Sequence, residues 1–390
     1  MKLSLIVFFS LLCVVNLPIA TFLTSKRLGF LGLLFLAITK FFSCEKPILK
    51  REGMEVILFW GLYLFSSVIG IFISTEINST ALAIGLTCLN IFILKFLLDN
   101  EEATNIASFQ TGWLLATYFL TFLFLYQIAF VLNFDILKVF YLRKYLLESS
   151  FSINSTFNQI VFLIFLQVFV ICSHGYSRFK RYFSFILALA LFGITIMSFS
   201  RQNLLACLVM FGYIIYHFTN NKQKTLIALV FLPVFVFFVS SSLNDDEISG
   251  VHERVDKTVS QVADADYTRF RQYVDSIQAG LDSPFLGVGL GNYYDYAKKL
   301  GYHESVRVPE AALNQVMAEH GAILFVLFMM ILFYLYSKFH YSSFGMRDFI
   351  LFRGIFLAFF VLLFFNEIHA QASIWLVFLL FVFLKSLRKV

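Results

Sequence analysis

This sequence is short of charge. Only 14% of its 390 residues are Asp, Glu, Lys or Arg, against about a quarter in a typical soluble chain. So low a share excludes a disordered polyelectrolyte and, with the cations in short clusters between apolar runs, a nucleic-acid-binding surface. Proline and cysteine are equally sparse, at five residues each. Cys13, Cys88, Cys172 and Cys207 lie in or at the ends of apolar runs, and Cys44 follows one. No CxxC or Cys/His metal spacing occurs, so neither a disulfide framework nor a zinc site is indicated. No collagen-like period and no internal repeat is present.

Apolar residues fill the space left. They make up 59% of the chain, with 52 Phe and 18 Tyr and a mean hydropathy of +0.81. Water cannot be the main solvent of such a surface. A membrane helix needs about 20 mostly apolar residues, and backbone groups left unpaired in lipid force such runs to be helical. The expected class is therefore all-α, a polytopic integral membrane protein of about 12 transmembrane helices. The expected spans are Leu3–Leu23, Leu28–Phe42, Met54–Ser74, Thr80–Leu98, Phe109–Leu132, Phe157–Ser173, Tyr182–Phe199, Gln202–Phe218, Thr225–Ser240, Val316–Tyr336, Ile350–Phe365 and Ala372–Lys385. The last two read equally as a re-entrant hairpin. The first has too long an apolar stretch, and no small-residue cleavage site, for a signal peptide.

Loop cations set the expected orientation. Lys46, Lys50 and Arg51, then Arg178, Lys180 and Arg181, then Lys222 and Lys224, then Lys338 and Arg347 share one side with Lys2, Lys385, Arg388 and Lys389. That side is expected to be cytoplasmic and to hold both termini. Two loops, Asn133–Thr156 and Ser241–Gln315, then lie outside. The chain divides into nine helices over 1–240, a large extracytoplasmic loop over 241–315, and three helices over 316–390. Polar loops this long are usually functional. Within the second, Tyr267, Phe270, Val274, Ile277 and Leu281 recur at helical spacing, with Asp266 placed to cap the helix and Gly280 to end it. A bend at Gly287, Gly289 and Gly291 follows, then Tyr293, Tyr294 and Tyr296.

Three features stand out as candidate chemistry. Arg201, in Phe199-Ser200-Arg201-Gln202-Asn203, sits at a helix junction; it either faces a cavity or snorkels to headgroups. Arg271 has Asp275 four residues on, a surface pair, whereas Arg269 has Tyr273 there and is freer to meet an anion. A guanidinium suits phosphate because its planar fork donates two parallel hydrogen bonds. Glu310, in Pro309-Glu310-Ala311-Ala312-Leu313-Asn314, precedes a helix that carries Glu319, His320 and Gly321. It is either an electrostatic cap or a general base whose pKa partial burial raises. Lesser signals are Glu367, His369, His303 beside Tyr302, Glu304 and Arg307, and Asp264-Ala265-Asp266. That last triplet looks like a glycosyltransferase metal motif, yet nucleotide sugars are cytosolic and this loop is expected outside. The glycine-rich bend lacks the strand–turn–helix context of a dinucleotide site.

Together these residues resemble the O-antigen ligase and O-antigen polymerase superfamily of bacterial envelope proteins. The matching elements are Ser200-Arg201 opening a helix, Arg269 separated by ten residues from Gly280, the segment Pro284-Phe285-Leu286-Gly287-Val288-Gly289, and Glu319-x-Gly321. Glu310 then stands where the ligases carry histidine, and Ala311 where they carry asparagine, which leans toward the polymerases. The resemblance implies transfer of glycan from undecaprenyl diphosphate to a sugar hydroxyl of another lipid-linked unit at the outer face of the inner membrane. It implies neither cofactor nor metal. Arg201 and Arg269 would bind the diphosphate and stabilise its growing charge, and Glu310 would be the base of an inverting transfer. Arg271, Tyr273, Gly280 and Asn314 are the further expected substrate-binding positions. A chain-length regulator and a flippase are the expected protein partners. The competing readings are a ligase acting on a lipid A core or another acceptor, and a polysaccharide flippase. A flippase should carry mid-membrane charges in matching halves; here the notable charges cluster beside one loop.

Overall fold

The computed structural model describes residues 2–14, 17–20, 23–43, 48–73, 79–101, 106–134, 159–173, 175–197, 201–218, 269–290, 292–293, 296, 299, 311–338, 346–364 and 373–389. Their helices are α1 (Lys2–Val14), α2 (Ser25–Ser43), α3 (Met54–Ile73), α4 (Ser79–Asp99), α5 (Ile106–Val131), α6 (Ile160–Cys172), α7 (Arg178–Met197) and α8 (Arg201–Phe218). After these come α9 (Arg269–Asp282), α10 (Ala312–Lys338), α11 (Met346–Leu363) and α12 (Ser373–Lys389). Eleven coincide with expected spans or parts of them, and α9 with the expected loop helix. The span expected at Thr225–Ser240 lies outside the described residues.

Among the described residues three helices, α5, α7 and α10, are long and apolar enough to cross a membrane, and several shorter apolar ones accompany them. The molecule is a helical membrane protein. Two expectations need correction. The first span does not run to Leu23: α1 ends at Val14, and Pro18–Ala20 (β1) pairs antiparallel with Leu23–Thr24 (β2). Proline has no N–H to continue the helix, and Ser25 closes the turn, its Oγ accepting from the Leu17 N–H at 2.8 Å. The fold is thus not purely helical, though this small hairpin is its one departure among the described residues. Nor does Gly280 end the loop helix, which continues to Asp282.

Lipid offers no hydrophobic drive between helices, so close approach and polar contacts do that work. A Cβ at Gly112 of α5 would lie 2.2 Å from the Ser4 carbonyl oxygen of α1, and one at Gly29 of α2 would lie 2.6 Å from the Phe9 oxygen. Helices hydrophobic all round belong in the interior. Accordingly α6 is buried on every side, with Gln167 Nε2 donating to Thr121 Oγ1 at 2.9 Å and Trp113 Nε1 donating to the Leu166 oxygen. The apolar stretch of α12 is likewise enclosed, and its aromatics knit the bundle. Trp375 stacks on Phe59 of α3, while Phe381 meets Trp113, Phe165 and Phe352.

Helix α4 holds the backbone segment before α3 with its own side chains. Lys95 Nζ bonds Asp99 and donates to the Lys50 oxygen at 2.8 Å, and Asp99 accepts the Lys50 N–H at 2.8 Å. Asn100 pairs with both backbone groups of Ile48. Both ions of the pair are buried, so each requires the other. Lys95→Met is expected to destabilise the protein by about 3–5 kcal/mol, because the Asp99 charge stays buried without its cation. Chemical denaturation in detergent should show the loss, and Lys95→Met with Asp99→Leu should recover most of it.

Candidate functional site

The site is organised around a break in α10. At Gly321 the backbone is non-helical, with φ 84° and ψ 169°. A continuous helix would pair the Ala318 oxygen with the Ala322 N–H and the Ile323 N–H with the Glu319 oxygen. Here the Ala318 oxygen accepts the Val288 N–H at 2.8 Å, and the Ile323 N–H donates to the Pro284 oxygen at 3.0 Å. The turn Pro284–Gly289 is therefore built into the helix that follows it. An unpaired backbone group costs several kcal/mol in an apolar setting; the turn supplies partners for the Ala318 oxygen and the Ile323 N–H.

Only glycine permits this approach. Gly321 and Gly287 both have positive φ, where other residues are strained. A Cβ at Gly287 would lie 2.2 Å from the Ala318 oxygen, and one at Gly321 would lie 2.6 Å from the Pro284 oxygen. Gly280 serves a different need. It lies inside α9, where a Cβ would come 2.5 Å from the Met317 oxygen, so α9 rests directly on the backbone of α10. Ala279, Ala318 and Tyr293 complete that contact. Burial, opposed by Ser276 and then helped by the nearby Asp275 and Tyr296, holds the Tyr293 hydroxyl above its ordinary pKa. Tyr273 donates to the Phe364 oxygen at the end of α11, a second anchor for α9.

Beside the break, α10 carries a buried polar cluster. Glu319 is 1% exposed and accepts from Gln315 Nε2 at 2.9 Å. His320 Nδ1 lies 3.2 Å from Ser66 Oγ of α3, and its ring lies 4.4 Å from that of Tyr63. Asn314 and Gln315 are buried one turn nearer the start of α10. At the far end of the same helix, Lys338 Nζ and Tyr334 Oη bond Glu55 Oε1 at 3.0 and 2.8 Å. Helices α3 and α10 are thus tied at two depths, and the break sits at the level of the His320 tie.

Of the expected site residues, Tyr273 and Gly280 lie on α9 and Asn314 on α10. Arg201 opens α8 and Arg269 opens α9, and Arg271 lies in the first turn of α9; their side chains, and with them the Arg271–Asp275 pair, lie outside the described residues. Glu310, Asp264, Asp266, His303, Glu304, Arg307, Glu367 and His369 also lie outside the described residues. The structure adds Tyr63 and Ser66, which no sequence signal marked within the apolar run of α3. It also gives Gly287 a reason that composition alone did not. No group of three or more His, Cys, Asp or Glu placed to hold a metal ion occurs among the described residues.

In comparison with known proteins, residues 185–329 match the family described as O-antigen ligase. The match covers a little over a third of the chain, runs from within α7 to within α10, and contains Arg201, Arg269, Gly280, Gly287, Glu310, Glu319 and Gly321. No curated protein matches the chain. Relative to wild type, Gly321→Ala and Gly287→Ala should each lose about 1–3 kcal/mol from positive φ alone, and more from collision with carbonyl oxygens. The thermal midpoint in detergent should fall for both. Protease sensitivity should rise at the 284–289 turn, whereas Gly61→Ala, at a position with open space around it, should be neutral.

Proposed function

We propose that this protein is a surface-polysaccharide polymerase, transferring glycan from one undecaprenyl-diphosphate-linked unit to the sugar hydroxyl of another. The supporting observation is that the stretch similar to the O-antigen ligase family contains α9, the Pro284–Gly289 turn and the broken part of α10. In this reading the chain is an inner-membrane protein of about 12 spans, with both termini cytoplasmic and the site on the periplasmic face. A donor used there must bring its own leaving group, and a diphosphate with its tail in the bilayer does so.

In the proposed reaction the bond from the anomeric carbon to the diphosphate oxygen breaks, and the electron pair leaves with the diphosphate. Arg201 and Arg269 bind that group and offset the charge it gains, and Arg271 adds to the field at the start of α9. The acceptor hydroxyl forms the new bond from the opposite face, so the anomeric centre inverts, and its proton passes to the Glu310 carboxylate. Tyr273, Gly280 and Asn314 belong to the α9–α10 framework that holds these groups. No cofactor and no metal takes part. A chain-length regulator and a flippase are the expected neighbours in the membrane.

A ligase moving finished chains to a lipid A core is the second reading, favoured by the description of the matching family. Glu310 at the ligase-histidine position favours the polymerase. Arg269→Ala and Glu310→Gln should each reduce chain growth at least about a hundredfold with protein levels unchanged. The measurement is a gel profile of surface polysaccharide from a deletion strain carrying each variant. Single-unit caps, with a ladder restored by wild type alone, support the polymerase. Long chains stranded on the carrier point to the ligase, and a normal ladder from Glu310→Gln removes Glu310 from the mechanism.

A further inference from the structure

Helix α9 has three sides, and only two have an evident environment. One side, with Ser276, Ala279 and Gly280, is buried against α10. A second carries Asp275, Gln278 and Asp282, with Gln278 Nε2 donating to Asp282 Oδ1 at 2.7 Å, a polar face suited to water. The third is an apolar ridge. Val274 is 49% exposed, Ile277 49%, Leu281 58%, and Phe285 just beyond the helix 73%. No described residue covers it, and in water such a contiguous ridge would be a liability.

Depth identifies the occupant. Beyond the Gly321 break, α10 runs on to Lys338, about 25 Å at the standard rise, against roughly 30 Å of hydrocarbon. The break and the buried polar turns before it, with Asn314, Gln315 and Glu319, therefore fall at the interfacial layer, and those are the turns that receive α9. Its exposed apolar stripe begins at Ile323 and continues through Val326, Met330 and Phe333. Gly280 meets Met317, six residues before that stripe starts and on the other side of the break. An amphipathic helix at this level, apolar on one flank and polar on the next, has the form of an interfacial helix buried about 5–10 Å into the headgroup–acyl boundary.

We infer that the Val274–Ile277–Leu281–Phe285 ridge is seated in the lipid of the adjoining leaflet, so that α9 lies in the membrane interface. The seating is independent of the enzymatic reading; its mechanistic consequence is that Arg269 and Arg271, in the first turn, are held at the depth of lipid phosphates. Three sides of one short helix then meet protein, water and acyl chains.

The test uses the full chain in nanodiscs, with fluorescence quenching by brominated phosphatidylcholine and by aqueous acrylamide. Val274→Trp, Ile277→Trp and Leu281→Trp are compared with Asp282→Trp on the polar flank, after subtracting the signal of the native Trp60, Trp113 and Trp375, all buried. The ridge variants should be quenched by bromolipid at least twofold more than Asp282→Trp, and by acrylamide at least twofold less. Equal acrylamide quenching on both flanks would overturn the inference in favour of a water-exposed ridge. Protection from both quenchers would overturn it in favour of a protein cover, such as a second copy. Three ridge positions keep the test decisive if one variant fails to fold, and none of its readouts depends on activity.

Discussion

Two redirected backbone hydrogen bonds hold the α9–α10 unit of this protein together. Helix α10 gives up its internal pairing at Gly321, and the Pro284–Gly289 turn takes the freed Ala318 oxygen and Ile323 N–H. In water such a break costs little, because solvent re-pairs the groups. Beside a membrane it is tolerated only where another segment does so. The turn and the break are therefore a single feature, and neither is stable without the other. Because α9 leads straight into that turn and lies on the Met317 oxygen through Gly280, its position follows from the same two bonds.

The rest of the bundle keeps that feature at a fixed depth. Helix α3 grips α10 through Glu55 with Lys338 at one level and through Ser66 and Tyr63 with His320 at another. Between them Phe59 packs on Phe328 and Trp375, so α12 braces the pair from behind. Aromatic contacts suit this task in lipid. Their quadrupoles give preferred geometries, so packing fixes orientation even where apolar surface alone would not drive association. The high phenylalanine content is thus partly a lipid-facing surface and partly the seam between helices.

Much of this was legible in the residues. Apolar run length located helices because lipid leaves the backbone no alternative, and the 3.6-residue period of Val274, Ile277 and Leu281 located α9. Glycine spacing marked Gly280, Gly287 and Gly321 before their reasons were visible. What failed to show was pairing across long separations. Nothing around Tyr63 or Ser66 distinguishes them from other polar residues in apolar runs, and their meaning comes from His320, more than 250 positions later. Gly280 was misjudged as a stop because glycine ends helices as readily as it lets two helices touch; only the neighbouring Met317 oxygen decides between those uses. The end of α1 was misjudged for a related reason, since hydropathy continues through Pro18 while the hydrogen-bonding pattern does not.

A rigid link between a polar loop and a membrane helix also bears on how the proposed lipid-linked substrate would be handled. A diphosphate anchored by a hydrocarbon tail has little freedom along the membrane normal, so its binding groups must come to its level. A loop free to rise and fall would present arginines there only part of the time, and affinity would drop by that fraction. Here the first turn of α9 cannot move independently, because the other end of the helix continues into backbone bonds with α10. The proposed seating in lipid constrains the same helix from its opposite flank. Two different solvents, a protein backbone and an acyl layer, then fix one coordinate, and the chemistry proposed for Arg269 needs that coordinate more than any other.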